Sequence, residues 1–188
     1  MPPRITPFEP PYSEELGTLL ARWMPPGINV EPLRLFRTLA HHRNMMDRML
    51  PLGAGILGKG SIAAAEREIV INRTCARCGC EYEWGVHVAS FGRTLNIAPE
   101  KLAATFSGTA NDAVWTERER LLIRLVDELH DTSTVSDALW AALSQQWDDA
   151  QLIELCIIVG FYHLISFVSR AAQVEAETWA ARFPVVSA

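Results

Sequence analysis

The sequence lacks the features that assign a chain to several common functional classes. Its 17 basic residues are outnumbered by 22 acidic ones, and they form no basic patch, which argues against nucleic acid or an anionic membrane as the main partner. The N-terminus has no apolar signal-peptide core, so a cytoplasmic location is expected. The longest apolar stretch, residues 152–168, contains Glu154 and His163 and is too short for a membrane span. It predicts a buried helix.

Cysteine is scarce as well. Three of the four cysteines, Cys75, Cys78 and Cys80, are clustered, and Cys156 is distant, which is not the pattern of a disulfide framework. The C-x-x-C spacing of Cys75 and Cys78 is typical of redox and metal sites. The pair lies late on a predicted helix, where the dipole opposes thiolate formation, and no second ligand pair with zinc-finger spacing follows. A structural role is favoured for both cysteines, and no metal is predicted. A disulfide between Cys78 and Cys80 stays open, because it depends on a geometry that the spacing does not reveal.

The patterns predict an all-α protein. Residues 1–12 contain five prolines and form an extended arm, and residues 13–188 form a single helical domain, because each long segment repeats its apolar positions at 3.6-residue spacing. Ser13, Ser61, Thr116, Ser136 and Asp148 are the predicted caps. The predicted helices span about 13–24, 33–50 with a break near Asn44, 63–78, 80–94, a short segment from 99, 116–130, 136–147 and 148–180.

Gly53, Gly55 and Gly58 satisfy G-x-G-x-x-G. A dinucleotide site requires a strand before this motif and a parallel sheet after it, and neither is predicted. We expect a flexible loop between two helices, bordering a substrate entrance.

The residues from Glu68 to His87 carry the strongest functional signal. Gly79 is a natural helix stop, so one helix should end near Cys78 and another should begin at Cys80. Positions 80, 83, 84 and 87 share one face of the second helix, and residue 68 lies on the preceding helix. Buried ionisable groups are costly unless paired, so the convergence of Glu68, Cys80, Glu83 and His87 predicts a catalytic site.

This spacing resembles the Glu…Cys-x-x-Cys-x-x-x-His signature of the alkylhydroperoxidase D/carboxymuconolactone decarboxylase superfamily. The version Cys80-Glu81-Tyr82-Glu83-Trp84 followed by His87, together with residues 36–53 and 121–143, is similar to the decarboxylase-like branch. The resemblance implies an alkylhydroperoxidase D-like helical bundle and a homo-oligomer, either a trimer or a hexamer built from trimers. The second cysteine of the peroxidase motif is replaced by Glu83, so the usual disulfide cycle of the hydroperoxidases does not apply.

Further residues are candidates for binding a substrate. Trp84 is expected to form a wall of the pocket, and the resemblance places the segment of His41 and His42 beside it. Arg37, Arg73 and Arg77 are suited to hold a carboxylate in a bidentate pair.

An internal duplication is a further hypothesis. Aligning Glu154 with Glu68 places Ser166 opposite Cys80, Ser169 opposite Glu83 and Gln173 opposite His87. The second half would then have kept a helix pair and lost the reactive groups.

The sequence suggests three alternative functions. The first choice is a cofactor-independent decarboxylase for a small carboxylated lactone or related acid, with His87 as general acid, Glu68 or Glu83 setting its tautomer, and Cys80 lining the pocket. The second is a thiol-dependent peroxidase or disulfide reductase that uses Cys80. The third is a non-catalytic oligomeric scaffold.

Overall fold

The computed structural model describes residues 2–24 and 30–185, and within these residues it contains helices and no strands. The predicted break at residues 25–27 lies outside the described residues. The all-α prediction is confirmed. The helices are α1 (Glu14–Ala21), α2 (Arg34–Leu39), α3 (Arg43–Gly58), α4 (Ala64–Arg77), α5 (Glu81–His87), α6 (Pro99–Ser107), α7 (Glu117–Thr132), α8 (Asp137–Leu143) and α9 (Asp149–Ala172).

Most helix starts follow the predicted caps. Ser13, Thr116, Ser136 and Asp148 each accept a hydrogen bond from a backbone N–H in the first turn of the helix that follows, and Thr116 and Asp148 belong to complete capping boxes. Ser61 does not cap α4, which begins after Ala63. Serine, threonine and aspartate at these positions satisfy N–H groups that a helix start leaves unpaired.

Several predicted boundaries differ from those in the structure. The glycine motif is not a loop, because α3 continues through Pro51 to Gly58, and at Gly53 the ring of Phe161 packs against the helix where a side chain would stand. The break predicted near Asn44 in the helix over 33–50 is a 3₁₀ turn at Ala40–His42, and the helix after it extends beyond residue 50. The last helix ends at Ala172 rather than near residue 180, with Gln173 in the left-handed conformation.

Helix α4 is the centre of the domain. It packs against α5, α6, α7 and α9, and nine consecutive residues from Arg67 to Cys75 are buried. A central helix of this kind buries its polar side chains too, and these require partners inside the protein. The charged residues of α4 are therefore the natural components of an internal site.

Helix α9 has two faces of different character. By length and composition, with a mean hydropathy of 2.0 over its most apolar 18 residues, it is apolar enough to cross a membrane. Half of these residues are buried in the domain, however, and α9 packs on α4. Its opposite side exposes large apolar residues at helical spacing. We call this side the α9 stripe, and it consists of Ile153, Ile157, Leu164 and Phe167.

The predicted second helix pair is absent. Residues 149–172 form one unbroken helix, whereas the Glu68–His87 segment is divided by a turn. The proposed repeat of a helix pair at this alignment is therefore wrong.

The C-terminal segment crosses α5. Ala181 N–H donates to Gly85 O at 3.1 Å, and Phe183 N–H donates to a Glu81 carboxylate oxygen at 2.9 Å. A side chain at Gly85 would lie 2.1 Å from Ala181 O. Gly85 therefore permits this close approach.

Candidate active site

A tight turn at Gly79 brings α5 back onto α4. Gly79 has a φ of +63°, in the left-handed region that glycine enters without a steric penalty. Cys80 N–H donates to Cys75 O at 2.8 Å across this turn. The turn sets α5 antiparallel to α4, so Glu68 near the start of α4 lies opposite His87 at the end of α5.

The structure brings Glu68, Glu83 and His87 into contact inside the protein. The His87 Nδ1 is 2.7 Å from Glu68 Oε2, and its Nε2 is 3.5 Å from Glu83 Oε1. Glu68 has no exposed surface and His87 is 4% exposed. Both ring nitrogens are thus occupied by carboxylates, and we call these three residues the carboxylate–imidazole triad.

Aromatic rings and one arginine surround the triad. The rings of Phe91 and Tyr162 lie 5.2 Å and 5.1 Å from the His87 ring, measured between centroids. Arg67 Nε is 3.4 Å from Glu68 Oε1. The negative charges of Glu68 and Glu83 are therefore balanced by the Arg67 guanidinium and, when His87 is protonated, by its imidazolium. This balance limits the free-energy cost of burying the two carboxylates.

The triad keeps His87 protonated at neutral pH. Burial alone would lower the pKa of His87, but the Glu68 carboxylate, and then Glu83, favour the imidazolium and raise that pKa from 6.5 to about 9. A group with a pKa above neutrality is protonated at pH 7 and can donate a proton.

Cys80 is next to the triad but is not part of its hydrogen bonding. It precedes α5 and is 1% exposed. Burial raises the pKa of its thiol to about 11, the backbone N–H of Glu83 acts in the opposite direction, and the Glu83 carboxylate adds to the increase. The Ser166 and Ser169 hydroxyls of α9 face this thiol and lower its pKa slightly. At rest Cys80 is therefore a neutral thiol.

Three polar atoms around Cys80 are buried without a hydrogen-bond partner among the described residues. They are Glu83 Oε2, Ser166 Oγ and Ser169 Oγ. Unpartnered buried polar groups are costly and concentrate at functional sites. They surround one thiol, so they are available to a thiolate or to a ligand bound there.

A cavity of about 260 Å³ opens beside Cys80. Cys80, Tyr82, Ser169, Arg170 and Arg182 contribute to its wall, whereas none of the three triad residues does in the described part of the chain. Arg170 also donates to Cys78 O at 2.7 Å, and Arg182 lies 3.1 Å from a Glu81 carboxylate oxygen. Of Cys80 and the three triad residues, Cys80 alone lines this cavity in the described part of the chain.

Two predicted substrate-binding residues, Arg37 and His41, instead hold the N-terminal arm, and a third, His42, caps α3. Arg37 donates to Phe8 O at 3.0 Å and to Glu9 at 2.6 Å. His41 stacks on the Phe8 ring at 4.1 Å, and His42 accepts from Met45 N–H at the start of α3. The expectation that this segment borders the pocket is wrong, because the N-terminal arm packs against the segment.

Arg73, Arg77 and Trp84 also have partners away from Cys80. Arg73 forms a bidentate pair with Asp127 at 2.8 Å and 2.9 Å, and Arg77 pairs with Asp127 and Asp131. Trp84 donates its indole N–H to Thr105 at 2.9 Å and packs on Phe183. Trp84 is not a wall of the cavity. These residues are committed to packing α4, α5, α6 and α7 together.

Sequence reasoning missed the serines and arginines of this site. Ser169, Arg170 and Arg182 line the cavity, and Ser166 lies behind Cys80. One signal was present, because the alignment of Glu154 with Glu68 sets Ser166 opposite Cys80 and Ser169 opposite Glu83. Ser166 and Ser169 face Cys80 although the repeat itself is absent.

Comparison with known proteins gives matches to structures alone. No protein-family model matches the sequence, and no curated protein matches it. A peroxidase-related protein from Silicibacter sp. TM1040 is 16% identical, with a TM-score of 0.79 over 97% of this chain and 98% of that one. A peroxidase-related protein from Ralstonia eutropha JMP134, with an alkylhydroperoxidase AhpD core, is 17% identical, with a TM-score of 0.75 over 93% of both chains.

An enzyme is among the similar structures. The debrominase Bmp8, in complex with 2,3,4-tribromopyrrole, is 13% identical, with a TM-score of 0.71 over 95% of this chain and 94% of that one. At these identities the likeness establishes the fold, and assignment to the decarboxylase-like branch stays a prediction. The chain has the alkylhydroperoxidase AhpD-like fold of these peroxidase-related proteins.

Proposed function

We propose that this protein is a thiol-dependent reductase in which Cys80 reacts with the substrate and the carboxylate–imidazole triad handles protons. The observation that carries the proposal is that the cavity wall includes Cys80, whereas His87 is buried with a carboxylate at each ring nitrogen. A substrate in the cavity would contact Cys80, whereas no residue of the triad lines the cavity in the described part of the chain. His87 then acts as a proton relay rather than as the group that meets the substrate.

The groups around Cys80 suit a thiolate that forms only when it is needed. The Glu83 carboxylate accepts the thiol proton, and His87, which contacts Glu83 and is paired with Glu68, completes the relay. The Ser166 and Ser169 hydroxyls, which have no partner at rest among the described residues, donate hydrogen bonds to the sulfur anion. Hydroxyl donors that wait for a charge stabilise it without reorganisation.

A hydroperoxide substrate gives a balanced cycle. The Cys80 thiolate attacks the distal peroxide oxygen, the O–O bond breaks, and the alkoxide takes the proton that Cys80 gave to Glu83. Cys80 becomes a sulfenic acid. A dithiol reductant then forms a mixed disulfide with it, releasing water, and its second thiol restores Cys80.

Another cysteine of the protein could attack the Cys80 sulfenic acid in place of the first thiol of the reductant. Cys75 is a candidate, because Cys80 N–H donates to Cys75 O at 2.8 Å. Burial, and then the Glu83 carboxylate, raise the pKa of the Cys75 thiol well above its usual range. The peroxidase-related fold neighbours support a redox assignment of this kind, as a property of those proteins.

Steady-state turnover tests the proposal. Cumene hydroperoxide with dithiothreitol should be consumed by wild type and by Cys156→Ser, whose thiol lies outside the site. We expect Cys80→Ser to lose essentially all of this activity and Glu83→Gln to lose about a hundredfold, the usual scale for a general base. Equal turnover by Cys80→Ser and wild type would refute the role of Cys80.

Decarboxylation is the second candidate, and the protonation state of His87 favours it. With a pKa of about 9, His87 is an acid at neutral pH, and Arg170 and Arg182 beside the cavity are suited to a carboxylate substrate. For this reaction Glu83 must turn aside so that His87 reaches the substrate carbon. Release of CO₂ from a carboxylated lactone by wild type and by Cys80→Ser, but not by His87→Ala, would establish this function in place of the first.

A further inference from the structure

Cys78 belongs to a second cluster of reactive side chains, together with two histidines. Cys78 ends α4, His130 is in the last turn of α7 and His163 is in the middle of α9. Among the described residues, these three place a sulfur and two imidazole nitrogens within 4.8 Å of one another. The triad and the cavity use none of them.

The two imidazoles are oriented for coordination. His163 Nδ1 is 2.9 Å from Val159 O, and its Nε2 is 2.9 Å from His130 Nδ1. Since a carbonyl only accepts, Nδ1 of His163 carries the proton, and the Nε2 lone pair of His163 accepts a hydrogen bond from Nδ1–H of His130. A backbone carbonyl that fixes the ring and tautomer in this way is the usual support of a metal-binding histidine.

The spacing suits a tetrahedral ion after a small adjustment. Zinc–nitrogen bonds of about 2.1 Å at tetrahedral angles separate two imidazole nitrogens by about 3.4 Å. The observed 2.9 Å therefore has to widen by about 0.5 Å. Both histidines are partly exposed, so rotation of their side chains can supply this change without moving the helices.

The surrounding charges permit a cation. Arg77 is the residue before Cys78, and it is paired with both Asp127 and Asp131. Arg170 donates to the Cys78 carbonyl at 2.7 Å rather than to its sulfur. The two arginines are thus bound to oxygen atoms, and two carboxylates offset the positive charge of Arg77.

We propose that Cys78, His130 and His163 form a site for a borderline-soft divalent ion, with zinc as the best fit and water as the fourth ligand. One thiolate and two imidazoles are a donor set that zinc and cobalt accept, and that magnesium and calcium avoid. The ion would tie together the ends of α4 and α7 and the middle of α9. It would also fix the residue before the Gly79 turn, and so the position of Cys80 two residues on.

Binding has a defined proton balance. Cys78 loses its thiol proton to form the metal–sulfur bond, and the Nδ1 proton of His130 moves to Nε2. One proton is therefore released for each ion bound when both histidines are neutral.

Cobalt(II) added to chelator-treated full-length protein tests the site. Wild type should bind one ion per chain and show the d–d absorption of a tetrahedral site and a thiolate-to-cobalt charge-transfer band. Zinc should displace the cobalt and abolish both signals. The charge-transfer band should be absent in Cys78→Ser and present in Cys156→Ser and Cys80→Ser.

The histidine variants keep the test decisive if Cys78→Ser fails to fold. His130→Gln and His163→Gln should fold, since both side chains are partly exposed, and each should weaken cobalt binding at least about tenfold. His41→Gln, which alters an exposed histidine elsewhere, should bind as wild type does. Absence of stoichiometric binding by wild type, unchanged affinity in both histidine variants, or a charge-transfer band that persists in Cys78→Ser would overturn the proposal.

Discussion

The buried pair of Glu68 and His87 makes a quantitative prediction about stability. The two side chains are 2.7 Å apart, and Glu68 has no exposed surface. Removing one partner of a buried pair costs about 3–5 kcal/mol, because the other charge is left without compensation. In Glu68→Gln the amide oxygen still accepts the Nδ1–H bond, so we expect the lower end, a loss of about 3 kcal/mol in the free energy of unfolding at pH 7.

The same pair predicts how stability depends on pH. The pKa of His87 is about 9 in the folded protein and 6.5 at its ordinary value, so the folded state holds more protons between these limits. The contribution of protonated His87 to the free energy of unfolding is complete below pH 6.5 and is lost as the pH rises to about 9. A difference of this size corresponds to about 3 kcal/mol. Glu68→Gln should show less than half of this decline, since Glu83 alone then favours the imidazolium.

Urea unfolding at pH 6, 7 and 9.5 measures both effects. Glu66→Gln is the matched control, because Glu66 is on the same helix but pairs with the partly exposed Arg118. It should lose about 1 kcal/mol or less and keep the wild-type pH dependence. A Glu68→Gln protein within 1 kcal/mol of wild type, or a wild-type stability that is constant from pH 6.5 to 9, would refute the account of the pair.

Three further predictions concern the fold and the assembly. Thr116→Ala removes the side-chain cap of α7 and should cost about 1 kcal/mol in urea unfolding; no change would mean that the capping box contributes nothing. Gly85→Ala would place a methyl group against Ala181 O and should cost about 1–3 kcal/mol and speed proteolysis of the C-terminal segment, whereas Gly17→Ala, with open space around it, should be neutral or stabilising. We expect a homo-oligomer that buries the α9 stripe, so light scattering should give a trimer or hexamer mass for wild type and a smaller mass for Phe167→Glu; a wild-type monomer would contradict this.

The features that the sequence predicted well depend on local chemistry. The caps at Thr116 and Asp148 follow from side-chain oxygens three residues before glutamate or glutamine. The turn at Gly79 follows from the conformational freedom of glycine, and the contact between Glu68 and His87 follows from that turn. Each of these needs only neighbouring residues to be specified.

The features that the sequence missed depend on distant partners. Arg73 is bound by Asp127, 54 positions along the chain, and no local pattern distinguishes such an arginine from one that binds substrate. Helix α3 continues through Gly53 because Phe161 packs beside it, so tertiary packing outweighed the propensity of glycine and proline to end a helix. The serines that face Cys80 come from α9, beyond the reach of a motif confined to residues 68–87.

The most direct test of the central claim is to locate the sulfenic acid after one equivalent of hydroperoxide. Dimedone labelling and peptide mass spectrometry compare Cys80, which is 1% exposed, with the more exposed Cys156. If exposure alone set reactivity, Cys156 would be labelled first. The account predicts that Cys80 is labelled first, and that Glu83→Gln slows its labelling about a hundredfold. Preferential labelling of Cys156, or equal rates at Cys80 in wild type and Glu83→Gln, would contradict it.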